Sequence, residues 1–114
     1  MTLDTFKKKL KQSPETLAFS ETMQVIDATY EFTPTAFKNG ALQNKAGENS
    51  GSCKLFAFAK LQGLTKEETL ACFGAFYYED VLKDPHGNGH QNIRNFMKTG
   101  FEGLVFEGQP LSIR

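Results

Sequence analysis

The sequence has no tryptophan, only two cysteines and only four prolines among its 114 residues. Two thiols, Cys53 and Cys72, make no disulfide framework, and no CxxC or paired Cys/His spacing offers a zinc site. Charge of either sign is not in surplus. Thirteen Lys and Arg balance thirteen Asp and Glu, so the basic excess that carries generic nucleic-acid or anionic-membrane binding is missing. No apolar run is long enough to span a bilayer, and the N-terminus lacks the apolar centre of a classical signal peptide. The expectation is a soluble protein with reduced thiols, no nucleic-acid partner and no membrane span. Export routes that read an uncleaved N-terminus stay open, and the Ser/Thr/Lys-rich opening is compatible with one.

Phenylalanine is what the sequence has in quantity. Eleven Phe and a 39% hydrophobic content supply enough apolar area to offset the chain entropy of one domain over residues 1–114. A second independent core would be too small to stabilise itself.

Period and punctuation predict a mainly helical α+β fold. Thr2 caps a helix over Leu3–Lys11, with Leu3, Phe6 and Leu10 on one face and Lys7, Lys8, Lys9 and Lys11 mostly on the other. That basic face reads as solvated surface or, alternatively, as a membrane-surface segment. Ser13-Pro14-Glu15 opens a short turn, and Ser20-Glu21 starts a helix to about Thr29. Tyr30–Phe37 alternates and is aromatic and β-branched, which predicts a strand; Pro34 places it at an edge or in a bulge. Asn39–Gly51 reads as the longest loop. A helix over Cys53–Leu61 ends at Gly63, and a capping box at Thr65–Glu68 opens another to Lys83, in which Gly74 reads as a mild defect or a close helix crossing. Turn-rich 84–89 precedes a last helix over His90–Lys98. Phe101–Glu107 is a second strand, expected to pair antiparallel with Tyr30–Phe37, and Leu111–Ile113 is a short third.

Three segments carry candidate chemistry. In Gly51-Ser52-Cys53-Lys54 a thiol in the first helical turn would meet the positive end of the helix dipole, with Lys54 beside it, and both favour thiolate. The plainer reading makes Cys53 a small core residue under Phe56 and Ser52 a helix cap. In His90-Gln91-Asn92-Ile93-Arg94-Asn95 the pairs His90/Arg94 and Gln91/Asn95 lie at i, i+4. So many amides beside an imidazole and a guanidinium suggest a surface for an anion or a peptide backbone, or else a network that braces a loop. Asp84, His86 and Asn88 partly echo a calcium loop, but the twelfth position is Asn95 and gives no bidentate carboxylate. His86 and His90 lack a third metal ligand in the linear pattern. Neither metal nor cofactor is therefore expected. Glu79, Asp80 and Asp84 are acids that could orient His90.

On these residues the chain resembles the HopJ type III effector family. Thr33-Pro34-Thr35-Ala36-Phe37 with Asn39-Gly40, Gly51 to Phe58, Thr69-Leu70 to Phe73-Gly74, Tyr77 to Leu82, and the specific His90-Gln91-Asn92-Ile93-Arg94-Asn95-Phe96-Met97 run ending at Gly100 carry the likeness. They span roughly residues 30 to 106. The family's pattern has Trp after that glycine, where this chain has Phe101, a departure that bears on packing more than chemistry. The resemblance implies a bacterial cytoplasmic origin, with delivery into host cells by type III secretion for members of plant pathogens. It implies no catalytic mechanism and assigns no functional residues.

Two functions follow. The first is an interaction module whose polar face, from the 39–52 loop and the 90–95 helix start, uses Ser52, Lys54, Gln91, Arg94 and Asn95 to hold a small polar ligand or a host protein segment. The rival is a thiol hydrolase or transferase with Cys53 as nucleophile, His90 as base and Asn92 or an acid as orienter. A scaffold without ligand is the third possibility.

Overall fold

A computed structural model describes residues 1–114. Helix α1 (Leu3–Gln12) begins where the Thr2 hydroxyl accepts the Thr5 N–H at 3.1 Å, and it buries Phe6 and Leu10. A single turn at Pro14–Thr16 leads to α2 (Phe19–Thr29), whose Glu21 carboxylate accepts the Ala18 N–H and binds Lys9 of α1 at 3.0 Å.

The expected Tyr30–Phe37 strand is two strands. Thr33–Ala36 leaves the extended ladder where Pro34 has no N–H to donate, dividing β1 (Tyr30–Phe32) from β2 (Phe37–Asn39). Each half finds a different partner. Strand β1 pairs antiparallel with the C-terminal β5 (Leu111–Ile113), Tyr30 opposite Ile113. Strand β2 is central in a second antiparallel sheet, between β3 (Leu42–Asn44) and β4 (Leu104–Phe106), with Phe37 opposite Phe106. The expected pairing with 101–107 therefore holds for β2 alone. Part of the presumed long loop is β3, joined to β2 through Gly40-Ala41, with Gly40 at φ +61°. The fold is α+β, mainly helical, with antiparallel sheets of two and three strands.

Helix α3 (Ser50–Gln62) is the central element. Leu55, Phe56, Ala57, Phe58 and Ala59 are consecutive and all buried, so this helix is covered on every side by its neighbours. Its end at Gly63 takes the left-handed conformation, φ +66°. Its Phe56 and Phe58 are buried against Phe6, Phe37, Phe73 and Phe96, several of these rings meeting edge to face as at Phe56–Phe73, 5.5 Å between centroids.

The helix expected over Thr65–Lys83 is also divided. Helix α4 (Lys66–Ala71) starts with the expected capping box: Thr65 Oγ1 accepts the Glu68 N–H and Glu68 accepts the Thr65 N–H. It ends at Ala71, and the turn that follows closes on Gly74, whose φ is +62° and where a Cβ would lie 2.8 Å from the Leu17 carbonyl oxygen and 2.9 Å from the Phe19 nitrogen. Glycine is required here on both counts. The chain then resumes as one wide π-helical turn, Phe76–Val81, which aims Phe76 and Asp80 toward the start of α5 (Gln91–Thr99). A 3₁₀ turn (Gly100–Gly103) joins α5 to β4. No helix is long and apolar enough to cross a membrane.

Candidate functional site

Two residues other than glycine have positive φ: Asn49 at +50° and His90 at +55°. Each stands immediately before a helix, Asn49 before α3 and His90 before α5, and neither side chain caps the helix it precedes. The first helical bonds run from Cys53 N–H to the Asn49 carbonyl and from Arg94 N–H to the His90 carbonyl. The N–H groups of Ser50, Gly51 and Ser52, and of Gln91, Asn92 and Ile93, donate to no acceptor in the protein. Helix starts are ordinarily closed by a side-chain oxygen. These two are open.

Buried asparagines tie the two starts together. Asn44 of β3 exchanges hydrogen bonds with Asn92 of α5 at 3.0 and 3.2 Å and accepts from Asn49 Nδ2 at 2.7 Å. Asn39 of β2 donates to the Asn92 carbonyl at 2.8 Å and to its side-chain oxygen at 3.0 Å. Asn39 Oδ1 is the one buried side-chain polar atom left without a partner. Because Asn39, Asn44 and Asn92 are out of water, each made bond matters and a broken one leaves an uncompensated polar group.

Between the starts lies an open cavity of about 430 Å³. Its polar side is Asn49, Gly51 and Ser52 from α3, and His90, Gln91 and Asn92 from α5. Its apolar side is Phe19, Phe73 and Phe76, with Leu42 and Ile93. Phe19 stacks on Phe73 at 6.1 Å and meets Phe76 edge-on at 5.3 Å. Gly51 permits this wall, since a Cβ there would fall 2.9 Å from the Phe19 ring. Phe76 is 40% exposed, a large apolar surface that the core does not use. Its ring lies 5.2 Å from the His90 ring. His90 Nε2 is 3.0 Å from Asp80 Oδ2, so Asp80, one of the three acids considered from sequence, is the one beside the imidazole.

Of the residues singled out in the sequence, Ser52, His90, Gln91 and Asn92 share this cavity; Cys53, Lys54, Arg94 and Asn95 do not line it. The Cys53 thiol points the other way from α3, is 1% exposed and donates to the Thr35 carbonyl at 3.6 Å. Burial pushes it up to about 11, so it stays protonated at neutral pH despite its place in the first turn of a helix. Burial likewise raises Cys72, to about 12. A thiolate nucleophile has no support in this geometry. Asn92 meets Asn39 and Asn44, not His90, which removes it as an orienter. Lys54 pairs with Asp27 at 2.9 Å over the Phe32 ring. Arg94 braces the 84–89 turn, donating to the Gly89 carbonyl at 2.6 Å and the Asp84 carbonyl at 2.8 Å. Asn95 donates to the Gln91 carbonyl of its own helix. Ser52 is not a cap; Asn49 occupies that position. No three His, Cys, Asp or Glu side chains gather as metal ligands would.

Comparison with known proteins agrees with the likeness read from the sequence. The model of the family described as HopJ type III effector protein matches residues 3–111. A solved crystal structure of the unknown function protein VPA0580 is 57% identical, with a TM-score of 0.97 over 100% of this chain and 95% of that one. No curated protein matches. The chain belongs to the HopJ type III effector protein family.

Proposed function

We propose that this HopJ-family chain is a binding module that takes a small ligand in the cavity between the starts of α3 and α5. The ligand has two parts. A carbonyl, carboxylate or phosphoryl group accepts hydrogen bonds from the open N–H groups, and a flat apolar body lies against Phe19, Phe73 and Phe76. The observation that carries this reading is convergence: five residues with unpaired backbone N–H groups, Gly51, Ser52, Gln91, Asn92 and Ile93, line one cavity together with three phenylalanines. Its volume falls within the range of about 300–1,000 Å³ usual for small-molecule sites. The open donors are directed by the backbone itself, so they need no side-chain ordering on binding.

Titration of the ¹⁵N-labelled chain tests this with three probes: benzoate, phenyl phosphate and benzylamine. The two acceptor-bearing probes are expected to move the amide signals of Gly51–Ser52 and Gln91–Ile93 in a saturable way, and benzylamine to leave them. Phe76→Ala weakens binding of both anionic probes by about tenfold, as expected for loss of one aromatic contact of roughly 1.4 kcal/mol. Shifts scattered over the surface, or the same response to benzylamine, would contradict the reading. On the same family reading, the protein is made in the bacterial cytoplasm and delivered into host cells by type III secretion. A translocation reporter fused to the chain, active in host cells only with a working secretion apparatus, checks that.

A further inference from the structure

We propose that Ser52, with His90 and Asp80, forms an acyl-transfer centre that cleaves small aromatic or acyl esters bound in the same cavity. This rests on the binding reading above and adds chemistry to it. Ser52 and His90 both line the cavity. The Ser52 hydroxyl makes no hydrogen bond within the protein, whereas its neighbour Cys53 is committed to the Thr35 carbonyl in the core. Asp80 holds His90 through Nε2, at 3.0 Å. In the neutral imidazole that donates from this nitrogen to the carboxylate, Nδ1 is the unprotonated nitrogen and can accept a proton. Ser52 and His90 are not bonded to one another in this structure; such bonds commonly tighten only around a substrate.

Ser52 Oγ forms a bond to the acyl carbon while its proton passes to His90 Nδ1, and the carbonyl pair moves to oxygen. The open N–H groups at the start of α3 or α5 are the donors for that oxyanion. The carbon–oxygen bond to the alkoxide then breaks, and the leaving group takes the proton from His90. Water repeats the sequence on the acyl-serine, returning Ser52 and releasing a carboxylic acid. Ser52 and His90 would touch the reacting atoms; Asp80 is a positioning residue. The sequence places the thiol one residue too late. Along a helix adjacent residues diverge by about 100°, and it is Ser52, not Cys53, that faces the cavity.

The full-length chain is treated with a fluorophosphonate probe, followed by intact-mass and peptide mapping, and turnover of p-nitrophenyl butyrate is followed in parallel. One phosphonyl adduct on Ser52 is expected. Ser52→Ala removes both the adduct and the turnover, His90→Ala slows both by about a hundredfold, and Ser20→Ala, at an exposed serine outside the cavity, changes neither. Asp80→Asn slows labelling by tenfold or more, and Asp80→Glu restores part of it, which a merely structural role for Asp80 would not produce. No adduct on Ser52, or labelling at an unchanged rate in His90→Ala, overturns the proposal. Benzoate titration of the same samples separates the two levels. Saturable benzoate shifts without an adduct refute the chemistry and leave the binding site standing; absence of both refutes both.

Discussion

Four helices of this chain begin in two different ways. Helices α1 and α4 start with a threonine in extended conformation whose hydroxyl accepts a backbone N–H, and at α4 Glu68 completes the exchange. Helices α3 and α5 start with a left-handed asparagine and a left-handed histidine whose side chains turn elsewhere, to Asn44 and to Asp80. The first kind of start satisfies itself. The second kind keeps its donors, and both examples stand on the same cavity. The difference separates ends of helices that serve stability from ends that are held open, with left-handed backbone at Asn49 and His90 as the conformational cost.

Substitutions that cross this division should behave differently on its two sides. The largest effect is expected at Gly74, the point where α4 gives way to the turn carrying Phe76 and Asp80. Gly74→Ala combines a left-handed backbone with a collision against the Leu17–Phe19 backbone and should lower stability by about 3 kcal/mol or more, read from chemical denaturation. Next comes Asn92→Ala, which removes three hydrogen bonds made by the buried amides of Asn39 and Asn44 and should cost about 2–3 kcal/mol while weakening benzoate binding. Thr65→Ala should cost about 1 kcal/mol with benzoate binding unchanged. His90→Gly should do the reverse, raising stability by about 0.5 kcal/mol through relief of the left-handed residue while weakening binding.

The smallest expected effect is in acid. The hydrogen bond from the Thr65 N–H, with Lys11 nearby, holds the Glu68 carboxyl below the usual carboxylate range against the opposing effect of burial. Its contribution is therefore present above the unfolded carboxylate value of about 4.3 and is lost as pH falls through the lower folded value. Glu68→Gln should have a shallower acid limb in a plot of stability against pH. The thiols act on the alkaline side: raised to about 11 and about 12, Cys53 and Cys72 destabilise the fold as pH climbs above the unfolded thiol value.

Elements with strong local signals were legible in the sequence. The Thr2 and Thr65 caps, the helix ending at Gly63 and the Phe-rich core follow from spacing and turn chemistry alone. Pro34 carried the signal that a strand was interrupted, yet the exchange of partners across it, β5 for β1 and β4 for β2, is decided by contacts between residues more than sixty positions apart. Gly74 reads from sequence as a mild defect or a close helix crossing because its neighbours keep helical period; the approach of the Leu17–Phe19 backbone and the positive φ show why glycine is needed. In the candidate site, the sequence names the 39–52 loop and the 90–95 helix start, and the cavity is lined by only part of each, Leu42, Asn49, Gly51 and Ser52 from the first and 90–93 from the second. Cys53 takes the plainer of its two readings, a small core residue, because burial decides its protonation whatever its helix position argues. Phe19, Phe73 and Phe76 were missed as site residues because nothing local distinguishes an aromatic that lines a cavity from one that fills a core.

Residue-resolved amide hydrogen exchange, with and without benzoate, reaches the contrast between open and closed helix starts most directly. Protection at Gly51, Ser52 and Gln91 is expected to rise when benzoate is added, while Glu68, already bonded to Thr65, stays as it was. Unchanged exchange at all three positions under saturating benzoate, or a gain confined to the α4 start, would contradict the assignment of these two ends as a binding site.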